Sequence, residues 1–299
     1  MRLDKLVSDR YGLSRRAAQE AVRKGQVDVD GARCLEPGLE VEPDAAVAFD
    51  VNRPRFGGAD RHLSVLHEDP EILVVDKPAG LLTQPTQERE GDTLLERVGR
   101  YLMRKRGRTR PYVGIVHRLD RDTTGTILVA TSPQVLRPLQ AMFRAHAARR
   151  EYLAVVEGAF LTPEGTIDLP LVEDRGDGRR GVARGRGPAR GVEAVTHYRV
   201  VEAFGTVASL LSCRLETGRT HQVRIHLAAI GHPVVADPVY RDRSLPKFPV
   251  PFSRQALHAR SLELAHPSTG QPVRAEAPLP ADLAGLLEAL RGRAGSPDG

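Results

Sequence analysis

Tryptophan is absent from this sequence of 299 residues, and aromatic residues make up only 4% of it. This scarcity argues against a binding surface built from a row of aromatic stacking platforms. The two cysteines, Cys34 and Cys213, lie far apart in the chain, which argues against a disulfide framework and a cysteine-based metal site. No apolar run approaches the roughly 20 residues that span a membrane, and the first residues show no apolar signal segment. We therefore expect a cytoplasmic protein without a membrane partner.

Lysine is also scarce, because 44 residues are lysine or arginine and only five of these are lysine. The net charge of +6 favours a polyanionic partner but does not identify it. The length and the 40% apolar content allow a large core in one domain, with a smaller domain attached. The positions at which the arginines cluster are therefore more informative than their number.

The first 52 residues have the pattern of a small domain, 1–52. After a first short helix, Ser14 is a good N-cap for a second one, Arg15–Lys24, which Gly25 can end. Short strands are expected in the rest of the domain. Arginines in the first turn of the second helix can bind phosphate, although a solvated basic face explains them equally well.

Three segments of this domain resemble a known RNA-binding domain. Arg2–Leu6, Leu13–Ala18 and Gly25–Gly31 occur in the order typical of the alpha-L RNA-binding motif, the domain named after the fourth small-subunit ribosomal protein. The resemblance implies structured RNA as the ligand. It also implies phosphate contacts by four basic residues, Arg15, Arg16, Arg23 and Lys24.

Residues 53–62 combine proline, glycine and charges without an apolar period, and they are expected to form a linker. A second domain is expected over 63–290, followed by a disordered tail at 291–299. Apolar periods within it predict strands at 64–67, 72–76, 113–116, 126–130, 151–156, 195–201, 207–215, 257–264 and 273–277, and helices at 94–102, 133–150, 221–230 and 281–291.

Two basic stretches in this domain leave alternatives open. A dense basic run follows the helix at 94–102 and includes Arg104 and Arg106. It can contact an RNA backbone or form the solvated end of a helix. The stretch 175–191 is rich in arginine and glycine, so a flexible loop rather than a folded element is expected there. Such a loop can clamp RNA or simply be solvated.

The segment His117–Gly125 lies between two apolar runs and is expected to be a strand end, a polar turn and the start of the next strand. With a side-chain period of two, Arg118 and Asp120 point to one face, and His117 and Leu119 to the other. A guanidinium stabilises the ionised form of a nearby carboxylate, which suits a reacting aspartate. An ordinary ion pair beside a glycine turn explains the same residues, and the residue types alone favour that simpler interpretation.

Two further residues, Arg224 and Tyr152, have open roles. Arg224 lies beside the apolar face of the helix that Thr220 is expected to cap. It needs a carboxylate partner, because burial of an unpaired charge is costly. Tyr152 stands at a strand entrance, where its ring can face the core or a ligand. His221 and His226 are five residues apart, which does not suit two metal ligands on one helical face, so we expect them to serve in packing or RNA contact.

Five segments resemble the RluA/RluD family of RNA pseudouridine synthases. They are, in chain order, Leu73–Leu81, His117–Gly125, Glu151–Val155, Thr217–His226 and Gly231–Pro233 with Asp237. The resemblance implies an α+β fold with a mixed, mostly antiparallel sheet, flanking helices and a central catalytic cleft. It also implies isomerisation of uridine in RNA to pseudouridine without a cofactor or a metal.

The same resemblance implies roles for individual residues. Asp120 matches the catalytic aspartate, and Arg224 the cation paired with it. Tyr152 matches the catalytic-site ring on which uracil stacks, and Arg118 the residue that fills the space of the flipped base. Two residues of the Thr217–His226 segment are expected to contact RNA, Arg219 and His221.

We therefore expect a monomeric RNA pseudouridine synthase acting on structured RNA, with large-subunit ribosomal RNA as the target. A non-catalytic RNA-binding or ribosome-assembly protein is one alternative; loss of Asp120 or Arg224 would mark it, and both are present. A synthase acting on transfer RNA is a second alternative. An aspartate-dependent hydrolase or nuclease would need an acidic metal cluster near Asp120, and the sequence shows none.

Overall fold

The chain divides into two compact units, Met1–His62 and Leu63–Gly299, in a computed structural model. The residues that the structure describes are 1–23, 25–30, 32–34, 36–50, 63–85, 92–107, 110–160, 162–175, 179–183, 191–242 and 244–294. The predicted linker at 53–62 lies outside these residues. Each unit has its own hydrophobic core.

The N-terminal unit contains two helices and a three-stranded antiparallel sheet. The helices are α1 (Leu3–Tyr11) and α2 (Arg15–Arg23), and the strands are β1 (Val27–Val29), β2 (Ala32–Cys34) and β3 (Val47–Phe49). Strand β1 lies between the other two. The shared core of this unit includes Leu3, Leu6, Val7, Ala18, Ala21, Val22, Val27 and Val47.

Helix α2 begins after Ser14, as predicted. The Ser14 hydroxyl accepts a hydrogen bond from the Ala17 amide at 3.2 Å, which satisfies a backbone N–H of the first turn. Gly25 follows the helix in the left-handed conformation, with φ of 68°, which glycine adopts without a steric penalty. The short strands predicted over 26–29 and 45–51 correspond to β1 and β3, whereas β2 was not predicted.

Ten described strands of the second unit form one sheet. The strands of this unit are β4 (Ser64–Glu68), β5 (Ile72–Lys77), β6 (Gly114–Ile115), β7 (Thr124–Ala130), β8 (Arg149–Glu157), β9 (Glu164–Asp168), β10 (Leu171–Val172), β11 (Gly181–Val182), β12 (Val195–Phe204), β13 (Ala208–Leu215), β14 (Leu257–Ala265) and β15 (Pro272–Glu276). Strands β10 and β11 pair with each other outside the sheet.

The order of strands in the sheet is β4-β5-β7-β14-β8-β13-β12-β9, with β15 also paired to β14 and β6 to β7. Strands β7 and β14 run parallel, and the other described pairs of this sheet run antiparallel. The predicted mixed, mostly antiparallel sheet is therefore confirmed.

Four helices accompany this sheet: α3 (Leu94–Arg106), α4 (Pro133–Arg144), α5 (Gln222–Ala229) and α6 (Ala281–Ala294). Alternate residues of β5 and β7 belong to two different hydrophobic clusters. One cluster contains residues of α3, α5 and α6, and the other contains residues of α4. Because successive side chains of a strand point to opposite faces, β5 and β7 are covered on both faces of the sheet. Among the described helices, none combines the length and the apolar character that a membrane span requires.

Several segments of this unit differ from the prediction. The helix predicted at 133–150 ends at Arg144, and Arg149 and Arg150 lie in β8, because His146 takes a left-handed φ of 59° that interrupts the helix. Helix α6 continues to Ala294, past the start of the tail predicted at 291–299, and is fixed there by Arg291, which donates two hydrogen bonds to Glu202. The predicted loop at 175–191 contains strand β11.

Candidate active site

A cleft with a volume of about 1630 Å³ opens in the second unit. Its walls include the turn at 116–123, the entrance of β8, and the segment at 218–224 that leads into α5. Six of the residues predicted from the sequence line it, namely Arg118, Asp120, Tyr152, Arg219, His221 and Arg224. The fold thus brings three segments that are distant in the chain to one site.

Asp120 and Arg224 form the predicted ion pair in this cleft. Nη1 of Arg224 donates a hydrogen bond to Oδ2 of Asp120 at 2.9 Å. Asp237 holds the same guanidinium, accepting from Nε at 2.6 Å and from Nη2 at 2.8 Å. The Asp237 side chain is 0% exposed and that of Asp120 is 21% exposed. Of these two carboxylates, Asp120 is therefore the one that a substrate can reach.

The charge of this pair is stabilised by its surroundings. Burial acts to lower the pKa of Arg224, but the hydrogen bonds and charges of Asp237 and Asp120 outweigh burial and hold that pKa above its ordinary value. Nε2 of His221 lies 3.6 Å from Oδ1 of Asp120. Burial lowers the pKa of His221, so its ring is neutral at neutral pH. Arg224 is therefore the cation that is paired with Asp120 in this cleft.

Tyr152 and Arg118, the residues with the predicted stacking and space-filling roles, also line the cleft. The Tyr152 side chain is buried, with 8% exposure, and its ring lines the cleft. Burial raises the pKa of Tyr152, so the phenol stays protonated and offers a neutral ring. Arg118 is exposed at the cleft wall. A planar base can stack on such a ring, and an exposed guanidinium can occupy the space that a displaced base leaves.

The predicted strand end, polar turn and following strand are present in the segment that carries Asp120, but Arg118 and Asp120 do not lie on a strand, as their predicted common face requires. Strand β6 ends at Ile115, and the backbone of Leu119 is bonded by the Thr83 side chain. The Thr83 hydroxyl donates to the Leu119 carbonyl at 3.0 Å and lies 3.3 Å from the Leu119 amide, which donates to it. The Leu119 backbone is thus hydrogen-bonded to a side chain and not to a neighbouring strand. The rule that successive side chains point to opposite faces of a strand therefore does not apply to this segment.

Lys77 stabilises the same turn by hydrogen bonds to backbone carbonyls. Its side chain is fully buried, and Nζ donates to the carbonyls of Pro78, Leu81 and Arg121 at 3.0, 2.8 and 2.7 Å. Burial lowers the pKa of Lys77 to about 7. The bond to Arg121 ties the end of β5 to the turn after Asp120. Sequence reasoning included Lys77 in a motif but assigned it no role.

Helix α5 begins at Gln222, so Thr220 is not its N-cap as predicted. His221 precedes the helix with a left-handed φ of 60°. The Gln222 side-chain oxygen accepts from the Thr217 hydroxyl at 2.7 Å and from the Arg219 amide at 2.9 Å. This glutamine therefore closes the turn that presents Arg219 and His221 to the cleft.

The predicted RNA contacts of the N-terminal unit lie on α2. Arg15, Arg16 and Arg23 are exposed there. Lys24 lies outside the described residues. An Asp4 oxygen lies 3.7 Å from the Arg15 guanidinium, whose side chain stays 57% exposed. All three arginines of the described helix are therefore open to a polyanion.

The two predicted contacts at the end of α3 differ from each other. Arg104 is exposed. Arg106 donates to the carbonyls of Asp69 and Pro70 at 2.7 and 3.2 Å, and its guanidinium also lies 3.6 Å from the Glu68 carboxylate. The Arg106 guanidinium is thus used to fasten α3 to the loop after β4.

Comparison with known proteins identifies the family. A family model described as RNA pseudouridylate synthase matches residues 71–229, and a model of the S4 domain matches residues 1–47. The ribosomal large subunit pseudouridine synthase D of Nitrosomonas europaea is 43% identical over 272 residues, which covers 89% of this chain and 76% of that protein. The protein with the same name from Pseudomonas aeruginosa is 40% identical over 288 residues, covering 90% and 85%.

Solved structures agree with this assignment. Human RNA pseudouridylate synthase domain containing 1 is 25% identical with a TM-score of 0.60, covering 80% of this chain and 97% of that chain. Human RNA pseudouridylate synthase domain containing 4 has a TM-score of 0.63 at 24% identity, covering 76% and 93%, and shows the shared fold. Fold, cleft and relatives together define an RNA-modifying isomerase that carries an S4 domain. The chain belongs to the RNA pseudouridylate synthase family.

Proposed function

We propose that this synthase converts specific uridines of large-subunit ribosomal RNA to pseudouridine, and that Asp120 is its catalytic residue. The observation that carries the proposal is the partly exposed Asp120 carboxylate, held by Arg224 in a cleft that Tyr152 also lines. The names of the relatives from Nitrosomonas europaea and Pseudomonas aeruginosa support the choice of RNA. A ribosomal substrate places the enzyme in the cytoplasm.

The chemistry requires the uracil to turn within the site. The bond between C1′ of the ribose and N1 of uracil breaks, a bond between C1′ and C5 forms, and the proton lost at C5 is balanced by one gained at N1. Such a base must leave its stack, at a cost of a few kcal/mol. Tyr152 offers a new stacking surface, and Arg118 takes the space that the base leaves.

Asp120 acts on the ribose, either as a nucleophile at C1′ or as a base that removes a sugar proton. Both roles need an ionised carboxylate with a free oxygen edge. Arg224 stabilises that ionised form, and Asp237 fixes Arg224 in place.

Binding of the RNA backbone falls to the exposed basic residues. Salt-dependent phosphate contacts typically supply much of the affinity of such proteins. We assign these contacts to Arg15, Arg16, Arg23, Arg104 and Arg219. Lys24, which lies outside the described residues, is proposed for the same role from the sequence alone, and the neutral ring of His221 is proposed to contact RNA by a hydrogen bond. Arg106 contributes less than the sequence suggests, because its guanidinium is held by protein carbonyls.

The substitution Asp120→Asn tests the catalytic role. We expect pseudouridine formation to be lost, because the amide can act neither as nucleophile nor as base, while RNA affinity stays within about threefold of wild type. Pseudouridines are mapped in ribosomal and transfer RNA from a deletion strain complemented with wild type or with the variant. Asp168→Asn, which removes an exposed carboxylate of β9 that is not part of the cleft wall, is the matched control.

The choice of RNA and the catalytic role of Asp120 are tested by different outcomes. If the pseudouridines missing from the deletion strain lie in transfer RNA, the enzyme acts there and the ribosomal target is wrong. If the Asp120→Asn variant restores every missing pseudouridine, the catalytic role of Asp120 is wrong.

A further inference from the structure

Arg150 is a buried arginine whose guanidinium has unsatisfied nitrogens. Its exposure is 7%, and within the described part of the chain its Nε and Nη2 atoms have no hydrogen-bond partner. Burying a charged group without a partner is costly. Packing alone therefore does not explain why the Arg150 guanidinium is buried.

The other buried arginines of this unit each have a carboxylate partner, which Arg150 lacks among the described residues. Arg224 is held by Asp237 and Asp120. Arg254 donates two hydrogen bonds to Asp282, at 2.6 and 2.9 Å. Arg97 donates two to Asp92, at 3.1 and 2.7 Å. Each of these three guanidinium groups has a carboxylate, whereas no described carboxylate makes a salt bridge to Arg150.

Two aromatic rings and a glycine surround the Arg150 guanidinium. The Arg150 guanidinium lies over the Phe143 ring at 5.3 Å, and the His117 ring stacks on the same phenylalanine at 4.6 Å. A Cβ built at Gly218 would lie 2.5 Å from Nη1 of Arg150, so a larger residue at 218 would displace the guanidinium. Burial and the charge of Arg150 lower the pKa of His117 to about 3, so no second cation forms in the stack at neutral pH.

Arg150 belongs to the cleft that contains Asp120. It lines that cleft together with Tyr152 and Gly218. Arg150 and Tyr152 are two residues apart in β8, so their side chains leave the same face of the strand, with Cα atoms roughly 6.7 Å apart. A nucleotide stacked on Tyr152 therefore brings its own backbone within reach of Arg150.

We infer that Arg150 binds a backbone phosphate next to the target uridine, and that this phosphate is the anion the buried guanidinium lacks. A phosphate compensates the charge and accepts two parallel N–H bonds from a guanidinium. A uracil carbonyl is a neutral acceptor and would leave the buried charge uncompensated. The inference rests on the proposed function only in taking this cleft as the RNA site.

The test compares Arg150→Met with Arg149→Met. Arg149 is the neighbouring exposed residue of β8 and points to the other face of the strand, so its loss removes the same charge outside the stack. Full-length proteins are titrated with poly(U) and with an unmodified large-subunit ribosomal RNA transcript at several KCl concentrations. We expect Arg150→Met to bind both RNAs at least about tenfold more weakly and to lower the salt slope by about 0.7 on poly(U). Arg149→Met should stay within about twofold of wild type.

Denaturation of the free proteins separates binding from structure. Without RNA, Arg150→Met should unfold at the same urea concentration as wild type or a higher one, because an uncompensated buried charge is replaced by an apolar chain. Earlier unfolding together with an unchanged salt slope would show that Arg150 is structural and overturn the inference. Because poly(U) carries no ribosomal sequence, failure of the transcript to bind wild type would instead count against the proposed RNA target.

Discussion

Asp120 and Asp237 share one guanidinium, yet their surroundings give them different roles. Asp237 is fully buried, and besides Arg224 it accepts hydrogen bonds from the amides of Val239 and Tyr240, at 2.8 and 3.0 Å. Asp120 keeps part of its surface open. One carboxylate therefore serves to hold Arg224, and the other is available to react.

This difference predicts losses of stability of different size for two similar substitutions. Asp237→Asn should lower the free energy of unfolding by about 3 to 5 kcal/mol, because it leaves a buried guanidinium without its main partner. Asp120→Asn should cost less than about 1 kcal/mol, since water can reach that side of the pair. Urea denaturation of the two variants and wild type gives both values. Equal losses of stability would contradict the assignment of a holding role to Asp237.

At the scale of single residues, the resemblance of the sequence to a known family indicated the pair of Asp120 and Arg224 but not the residues that support it. The need of Arg224 for a carboxylate follows from its apolar neighbours, and Asp120 meets that need. Asp237 belongs to one of the five segments that carry the resemblance, but no role was predicted for it, because nothing in the spacing shows that it faces Arg224. Arg150 was predicted to lie in a helix. The helix in fact ends before His146, which has a left-handed φ, and no change in the apolar period of the sequence marks that end.

At the scale of elements, the parallel pair β7 and β14 depends on one glycine. Gly125 has φ of 112°, and a Cβ built there would lie 2.1 Å from the Ala259 carbonyl oxygen. Its backbone pairs with Ala259 of β14. Gly125, the last residue of the segment His117–Gly125, is thus required by the close approach of two backbones.

Gly125→Ala should therefore destabilise the protein by about 3 kcal/mol or more, from backbone strain and overpacking together. Gly99→Ala is the control, because Gly99 lies within α3 with nothing within 4 Å of a built Cβ. That substitution should stabilise by about 0.5 to 1 kcal/mol. Urea midpoints of the two variants give the comparison, and a folded Gly125→Ala protein with the wild-type midpoint would refute this account of the strand pair.

Elements with a long apolar period were predictable, whereas β9, β10 and β11 were not. Strands β5, β7, β12, β13 and β14 match predicted segments to within a few residues. Strands β10 and β11 have two residues each, so they show no alternation. The turn at 116–123 is shaped by Thr83 and Lys77, which lie about 40 residues earlier in the chain, and local pattern carries no information about such contacts.

At the scale of the whole molecule, exposed arginines occur in both units. In the N-terminal unit, Arg15, Arg16 and Arg23 are exposed on α2. In the second unit, Arg118 and Arg219 are exposed at the cleft. We expect the first group to add to RNA affinity and the second group to act near the reacting nucleotide.

Replacing Arg15, Arg16 and Arg23 together by glutamine should weaken RNA binding and lower its salt slope by up to about 2.7, at about 0.9 for each phosphate that the protein no longer neutralises. The rate at saturating RNA should stay near wild type, because the cleft is intact. Filter binding at several KCl concentrations and single-turnover kinetics measure the two effects. The same three positions changed to lysine keep the charge and should keep most of the affinity. A fall in the saturating rate with unchanged affinity would contradict this division.

The double cover of β5 and β7 has a consequence for how the enzyme meets its substrate. Amide protons of strands packed on both faces exchange with solvent only in rare, large openings, and the turn that carries Asp120 enters β7 and is tied to β5 through Lys77. The Asp120 carboxylate, the proposed catalytic group, is thus attached to two strands that are covered on both faces of the sheet. We therefore expect shape change on binding to come chiefly from the RNA, which deforms to reach the Asp120 carboxylate.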